Sequence, residues 1–237
     1  MRLYGKNPVI ERVKADPGSI KKLVLQKQVY LSDIVRETKK AGLTFESLDK
    51  KEFNSLAGDV HAQGVFAEVD DFRYAPFESI VKKCMQEKTI PLFLDGITDP
   101  QNLGSIIRTL ACMGGFSLVL PEHSSAEVNE TVLRVASGGE NYVEIGKVIN
   151  IATSVQNIKK KGIKVFGAAI EGKKGDIPEI MTKGAIALVV GSEGKGIRPG
   201  VKKVLDGMVA LSMDGAQLSY NASIAAAIFC YQIKRAR

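Results

Sequence analysis

Three stretches of this chain place chemistry-bearing side chains just beyond predicted strands, the edge where an open α/β sheet offers its residues to a ligand. They are Asn102 with Arg108, Glu193 inside Gly191-Ser-Glu-Gly-Lys-Gly196, and Ser219 with Asn221. The glycine-bearing loop offers small residues and free backbone amides, which suits close approach of a ligand. Its spacing is Gly-x-x-Gly-x-Gly. That is neither the Gly-x-Gly-x-x-Gly of dinucleotide folds nor the Gly-Lys-Ser/Thr ending of a phosphate loop, so NAD and ATP are disfavoured. Ser192 is not in a Gly-x-Ser-x-Gly elbow, and His61 and His123 are the only histidines, so a Ser-His-Asp triad has few candidates. Each stretch alone has a plain structural explanation. Asn102, Ser219 and Asn221 could be ordinary helix caps, and Arg108 a surface arginine. Convergence of all three points to one site.

The elements that must position them read as strands alternating with helices. Pro91 to Asp95 is a strand buried on both faces, a turn follows to Gln101, and Asn102 opens a helix running to Met113. Ser117 to Leu120 is a strand, Val128 to Ala136 a helix, and Asn150 caps a helix that ends at Gly162 before the strand Ile163 to Ala169. A strand from Ala185 feeds the Gly191 loop. Asn221 opens a last helix whose Ala and Ile content is too apolar for a solvent-facing surface and suits packing on another helix or a second subunit. This beat predicts a mostly parallel sheet with helices on both faces.

The front of the chain predicts a smaller α/β unit. A helix starts at Asn7-Pro8, Leu23 to Leu25 is a short strand, and Ser32 caps a helix stopped by Gly42. Leu43 to Leu48 reads as a strand, Asp49-x-x-Glu52 as a capping box, and Val65, Ala67 and Val69 alternate as a strand. His61 to Gly64 is a turn. Asp70 to Pro76 breaks the pattern, and Phe77 to Gln86 reads as a leading helix. The predicted organisation is residues 1–72, a linker and helix over 73–88, and a larger domain over 89–237.

The formal charge is +7, from 33 basic and 26 acidic residues, which favours a polyanionic partner. The excess is spread along the chain, so neither part is a basic arm. Cys84, Cys112 and Cys230 are odd in number and far apart, so neither a disulfide framework nor a Cys-x-x-Cys metal knuckle is expected, and a reducing cytoplasm fits. The apolar runs fall short of the roughly 18 to 20 residues that span a bilayer.

Asp99-Pro-Gln-Asn-Leu-Gly-x-x-x-Arg108, Val190-Gly-Ser-Glu-Gly-x-Gly196, and Leu211-x-Met213 leading into Ser219-x-Asn-x-Ser223 resemble the three motifs of the SpoU-type (TrmH-like) RNA ribose 2'-O-methyltransferases of the SPOUT superfamily. The resemblance runs from Pro91 to the C-terminus. Tyr4-Gly-Lys-Asn-Pro8 and His61-Ala-Gln-Gly-Val65 resemble the L30e-like RNA-binding domain carried by 23S rRNA guanosine methyltransferases of that family. The resemblance implies a C-terminal trefoil knot, S-adenosylmethionine bound in it, a homodimer and an RNA substrate, without a metal. It implies cofactor contacts from Gly191, Leu211 and Tyr220, and a catalytic group of Asn102, Arg108, Glu193, Ser219 and Asn221. Tyr220 departs from the family's usual Leu and Ser212 from its usual Pro, which bears on pocket shape. The family proposal makes Arg108 the base. A guanidinium stays protonated to about pH 12, so the alternative is that Arg108 orients a phosphate and lowers the hydroxyl pKa, the proton leaving to water or Glu193. A tRNA guanosine methyltransferase, or an RNA-binding assembly factor without turnover, are the rival expectations.

Overall fold

The computed structural model describes residues 1–58, 61–174, 181, 183–213, 215 and 218–237, the side chains of 170–174 excepted. Two sheets organise the chain. The front sheet has the order β1 (Arg2–Tyr4), β4 (Val65–Val69), β2 (Ile20–Gln26), β3 (Glu46–Leu48). It is mixed: β4 runs antiparallel to β1 and β2, while β2 and β3 are parallel. Helices α1 (Lys6–Ala15), α2 (Ser32–Lys40) and α3 (Lys50–Ala57) connect these strands. Asp49 caps α3 as its spacing predicts, accepting from the amides of Lys51 and Glu52.

The second sheet is parallel throughout and follows α4 (Phe77–Gln86). Its strands are β5 (Ile90–Asp95), β6 (Phe116–Pro121), β7 (Glu144–Val148), β8 (Lys164–Lys174), β9 (Ile186–Gly191) and β10 (Gly207–Ala210), in the spatial order β10-β8-β9-β5-β6-β7. Every residue of β5 and β6 is buried, as expected of strands covered by helices on both faces. The covering helices are α5 (Pro100–Met113), α6 (Glu130–Ala136), α7 (Ile151–Lys159), the short α8 (Pro199–Lys202) and α9 (Ala222–Ala236). Chain order runs outward from β5 through β6 to β7 on one side, while the later strands fill the other. The switch point falls between β5 and β9, where a ligand is expected beyond the strand ends.

The expectations need several corrections. The segment from Leu43 is strand only over Glu46–Leu48, and α6 begins at Glu130, capped by Asn129, rather than at Val128. Helix α2 starts at Ser32 itself, with Leu31 before it as the cap position. Asn102 does not open α5: Asp99 does, its carboxylate accepting from the Gln101 amide at 2.9 Å, with Pro100 preset for the first turn. β1, β7 and β10 have no sequence counterpart because each is short or lacks alternation. Leu211 directly follows β10.

The two sheets share one apolar cluster: Leu3, Val9 and Val13 from the front join Leu103, Ile107, Val132 and Leu133. The stretch between them is stitched to the second sheet. The Ala75 amide donates to Ile145 O at 2.8 Å and the Val128 amide to the Tyr74 hydroxyl at 2.9 Å. No helix among the described residues is long and apolar enough to cross a membrane.

Candidate active site

Helices α5 and α9 run side by side in the same direction. Asn221 Nδ2 donates to Asn102 Oδ1 near their first turns, and Lys234 Nζ to Gly114 O at their far ends. Glu193, from the loop after β9, enters between the two starts. Its Oε1 accepts from Asn102 Nδ2 at 3.0 Å, Asn221 Nδ2 at 2.6 Å and the Ala222 amide at 3.3 Å. With the Asn221 to Asn102 bond of 2.9 Å, the three side chains form a closed ring. Three residues separated by 91, 28 and 119 positions thus meet at one point.

The ring is held from outside. Asn221 is the cap of α9, and its Oδ1 accepts from the Ser223 amide and hydroxyl and from the Ile224 amide. That saturates the oxygen and forces Nδ2 toward Glu193 and Asn102. Ser223 is therefore a site residue in its own right. Its signal was the Ser219-x-Asn-x-Ser223 spacing, which names it without giving it a task.

Asp95 is the residue sequence reasoning missed. It ends β5, its side chain is fully buried, and it accepts from the Arg198 backbone amide at 2.7 Å and from Arg198 Nε at 2.6 Å. Its carbonyl accepts from the Ser192 amide at 3.1 Å. Both ends of the 192–198 loop are thereby tied to β5. Asp95→Ala is expected to cost about 2 kcal/mol or more and to weaken cofactor binding. A denaturant melt and a binding titration check this, and unchanged values in both would remove Asp95 as the tether.

Beside the ring lies a cavity of about 340 Å³. Gly191, Leu211, Tyr220, Glu193 and Ser219 all line it, with Met213 and Phe229 supplying apolar wall. The loop folds back so tightly that an added Cβ on Gly191 would lie 2.1 Å from the Gly196 carbonyl carbon. Close backbone approach, not unusual torsion angles, requires glycine there. Tyr220 is 44% exposed in place of the family's Leu, so the departure falls on the cavity's rim.

Arg108 is not brought into the ring. It is exposed, and among the described residues its side chain has no hydrogen bond or ion pair. Six helical residues beyond Asn102 place it roughly 9 Å along α5 and about 120° around it. It shares the flank of Gly104, against which α6 packs. Among the described residues no group of three or more His, Cys, Asp or Glu could hold a metal ion. Burial pushes the Cys84 thiol up to about 11 and Cys230 to about 12, so neither is a nucleophile at neutral pH.

A parallel sheet with a polar ring and a small-molecule cavity at its switch point defines a ligand-binding α/β protein of the open-sheet class. The chain belongs to the SpoU rRNA Methylase family, whose profile matches residues 89–231. A second profile, "RNA 2'-O ribose methyltransferase substrate binding", matches residues 2–75. The chain is 32% identical over 99% of its length to the "Putative TrmH family tRNA/rRNA methyltransferase YacO" of Bacillus subtilis, covering 95% of that protein. It is 29% identical, with the same coverages, to the "23S rRNA (guanosine-2'-O-)-methyltransferase RlmB" of Ralstonia nicotianae. Among solved structures, the SpoU methyltransferase AviRb of Streptomyces viridochromogenes in complex with AdoMet superimposes with a TM-score of 0.81. That match is 19% identical and covers 99% of this chain and 89% of that one, a likeness of fold. The protein is thus an RNA 2'-O-methyltransferase of this family.

Proposed function

We propose that this enzyme transfers a methyl group from S-adenosylmethionine to the ribose 2'-hydroxyl of a guanosine in 23S rRNA. The ring of Asn102, Glu193 and Asn221 at the mouth of a small-molecule cavity carries the reading. The cavity fits the cofactor: its volume lies in the roughly 300–1,000 Å³ range of ligand pockets, Leu211, Met213 and Phe229 give it an apolar wall, and Gly191 lets backbone come close. Bound there, S-adenosylmethionine supplies a methyl group already made electrophilic by its sulfonium.

The chain's own residues then have to align a ribose oxygen and remove its proton. Asn102 keeps one Nδ2 hydrogen free of the ring and Ser219 presents a hydroxyl, so these two can hold a ribose, while Asn221, its amide fully engaged, and Glu193 fix the Asn102 amide in place. Arg108, exposed and uncommitted, takes the neighbouring phosphate and lowers the pKa of the 2'-hydroxyl. The proton leaves to water or to Glu193. A guanidinium is a poor general base because it stays protonated at any physiological pH, so the phosphate role is preferred.

The RlmB relatives and the substrate-binding profile support 23S rRNA and a role for residues 1–72 in choosing the target. A homodimer is part of the reading. The last helix was expected to be too apolar for solvent, yet Ile224 and Tyr231 of α9 are 51% and 53% exposed in the single chain, one stripe at helical spacing that a second copy would cover. The trefoil knot is likewise part of it, supported by the loop that folds over Gly191 and is tied back to Asp95. So are a cytoplasmic location and a mechanism without a metal.

Incubation with labelled S-adenosylmethionine and total RNA, followed by nucleotide mapping, tests the proposal. Label is expected on the ribose of one guanosine in 23S rRNA. Label confined to tRNA would overturn the substrate assignment. RNA affinity is also expected to fall steeply with added salt as phosphate contacts release counterions; a flat response in a filter-binding titration would deny a large phosphate footprint.

A further inference from the structure

Two consecutive glycines separate the front of the chain from the helix that carries Arg108. A Cβ on Gly138 would lie 2.5 Å from Glu11 Cβ of α1, and a Cβ on Gly139 would lie 3.1 Å from the Cα of Arg108 and 3.2 Å from Ala111 Cβ. Residues 139–141, one turn of 3-10 helix, are therefore wedged between α1 and α5 with no room to spare. Next in sequence is Glu140, with a fully buried side chain. Its Oε1 accepts from Arg12 of α1 at 3.4 Å and from Asn141 at 3.3 Å. Arg12 also donates to Ser19 at 3.3 Å. Among the described residues, Glu140 Oε2 and Arg12 Nε are buried without partners.

Such a pair is a poor source of stability. Desolvating two charges costs more than a long, incompletely bonded contact returns, and an apolar pair of the same shape would do as well or better. What the pair does supply is geometry: it fixes the turn's distance from α1, and the turn's other side bears on the α5 backbone at Arg108.

We propose that Glu140 is a positioning residue: with Arg12 and the Gly138-Gly139 step it forms a joint through which the docked front unit sets the place of Arg108 on α5. This rests on the reading of Arg108 as the phosphate-orienting group. Residues 1–72 then act on the methyl-transfer step as well as on RNA capture.

The test uses the full chain, with in vitro transcribed 23S rRNA and S-adenosylmethionine as substrates. Glu140→Gln removes the charge at constant shape, and Gly139→Ala adds one carbon against Arg108. Variants are compared when their melting and their cofactor binding show them folded. Each is expected to lower kcat at least tenfold, while the KM for RNA and the cofactor affinity stay within threefold. Arg12→Met is expected to match Glu140→Gln, and the double variant to be no worse than either single one, as members of one unit behave. A folded Glu140→Gln or Gly139→Ala with kcat within twofold of wild type overturns the joint, as does a loss confined to the KM for RNA. An inactive Arg108→Ala beside a fully active Glu140→Gln removes the joint alone. A fully active Arg108→Ala removes the reading beneath it.

Discussion

Arg108→Ala is expected to lower methyl transfer at least 10³-fold, about 4 kcal/mol of transition-state stabilisation, while cofactor affinity stays within a few-fold. The separation follows from where Arg108 stands. It lines no part of the cavity and touches none of Asn102, Glu193 and Asn221, so the cofactor's pocket is intact without it. It is exposed and uncommitted, so nothing in the protein competes for its fork, and a phosphate can take it bidentately. Arg108→Lys keeps the charge but loses the fork and should recover only part of the rate. Single-turnover assays with saturating cofactor measure the first effect and a binding titration the second. Wild-type rates in the alanine variant would take Arg108 out of the chemistry.

Gly191→Ala should act in the opposite way, on the pocket rather than on the step. The added carbon would sit 2.1 Å from Gly196 C, 2.3 Å from Ile197 N and 2.4 Å from Gly196 O. All three are backbone atoms, so no rotamer change relieves the clash. The 192–198 loop must move, and its tethers to Asp95 and its delivery of Glu193 move with it. Cofactor affinity is expected to fall at least 100-fold, with a lower melting temperature. Gly200→Ala is the control. A Cβ there meets nothing within 4 Å, and a change within about 0.5 kcal/mol is expected of such a surface site. Unimpaired cofactor binding by Gly191→Ala would show that the loop is not part of the pocket.

Much of the second sheet could be read from the chain because its strands are short apolar runs bounded by turns, as at Pro91 to Asp95 and Ala185 to Gly191. The helix α4 over Phe77–Gln86 was legible to its ends. What escaped were elements stabilised only by distant partners. β1 is three residues that exist as strand because β4 lies beside them, and β10 is four residues beside β8. In the site, the motif residues were visible as polar positions after strands, yet only folding shows that Asn102, Glu193 and Asn221 close a ring while Arg108 stays outside it. Asp95 looked like the end of an apolar strand, since a carboxylate's burial is set by an arginine 103 residues later. Glu140 was invisible for the same reason, its partner lying 128 residues earlier.

The shared direction of α5 and α9 has an electrostatic consequence. Both helices turn their amino-terminal ends toward Glu193, which accepts from the Ala222 amide of α9 and from the Asn102 side chain in the first turn of α5, and each such end carries about half a positive charge. The carboxylate is therefore balanced by backbone dipoles, which neither titrate nor migrate. No arginine or lysine has to be spent on neutralising it, so the guanidinium on α5 keeps its charge for the polyanion that arrives from solution.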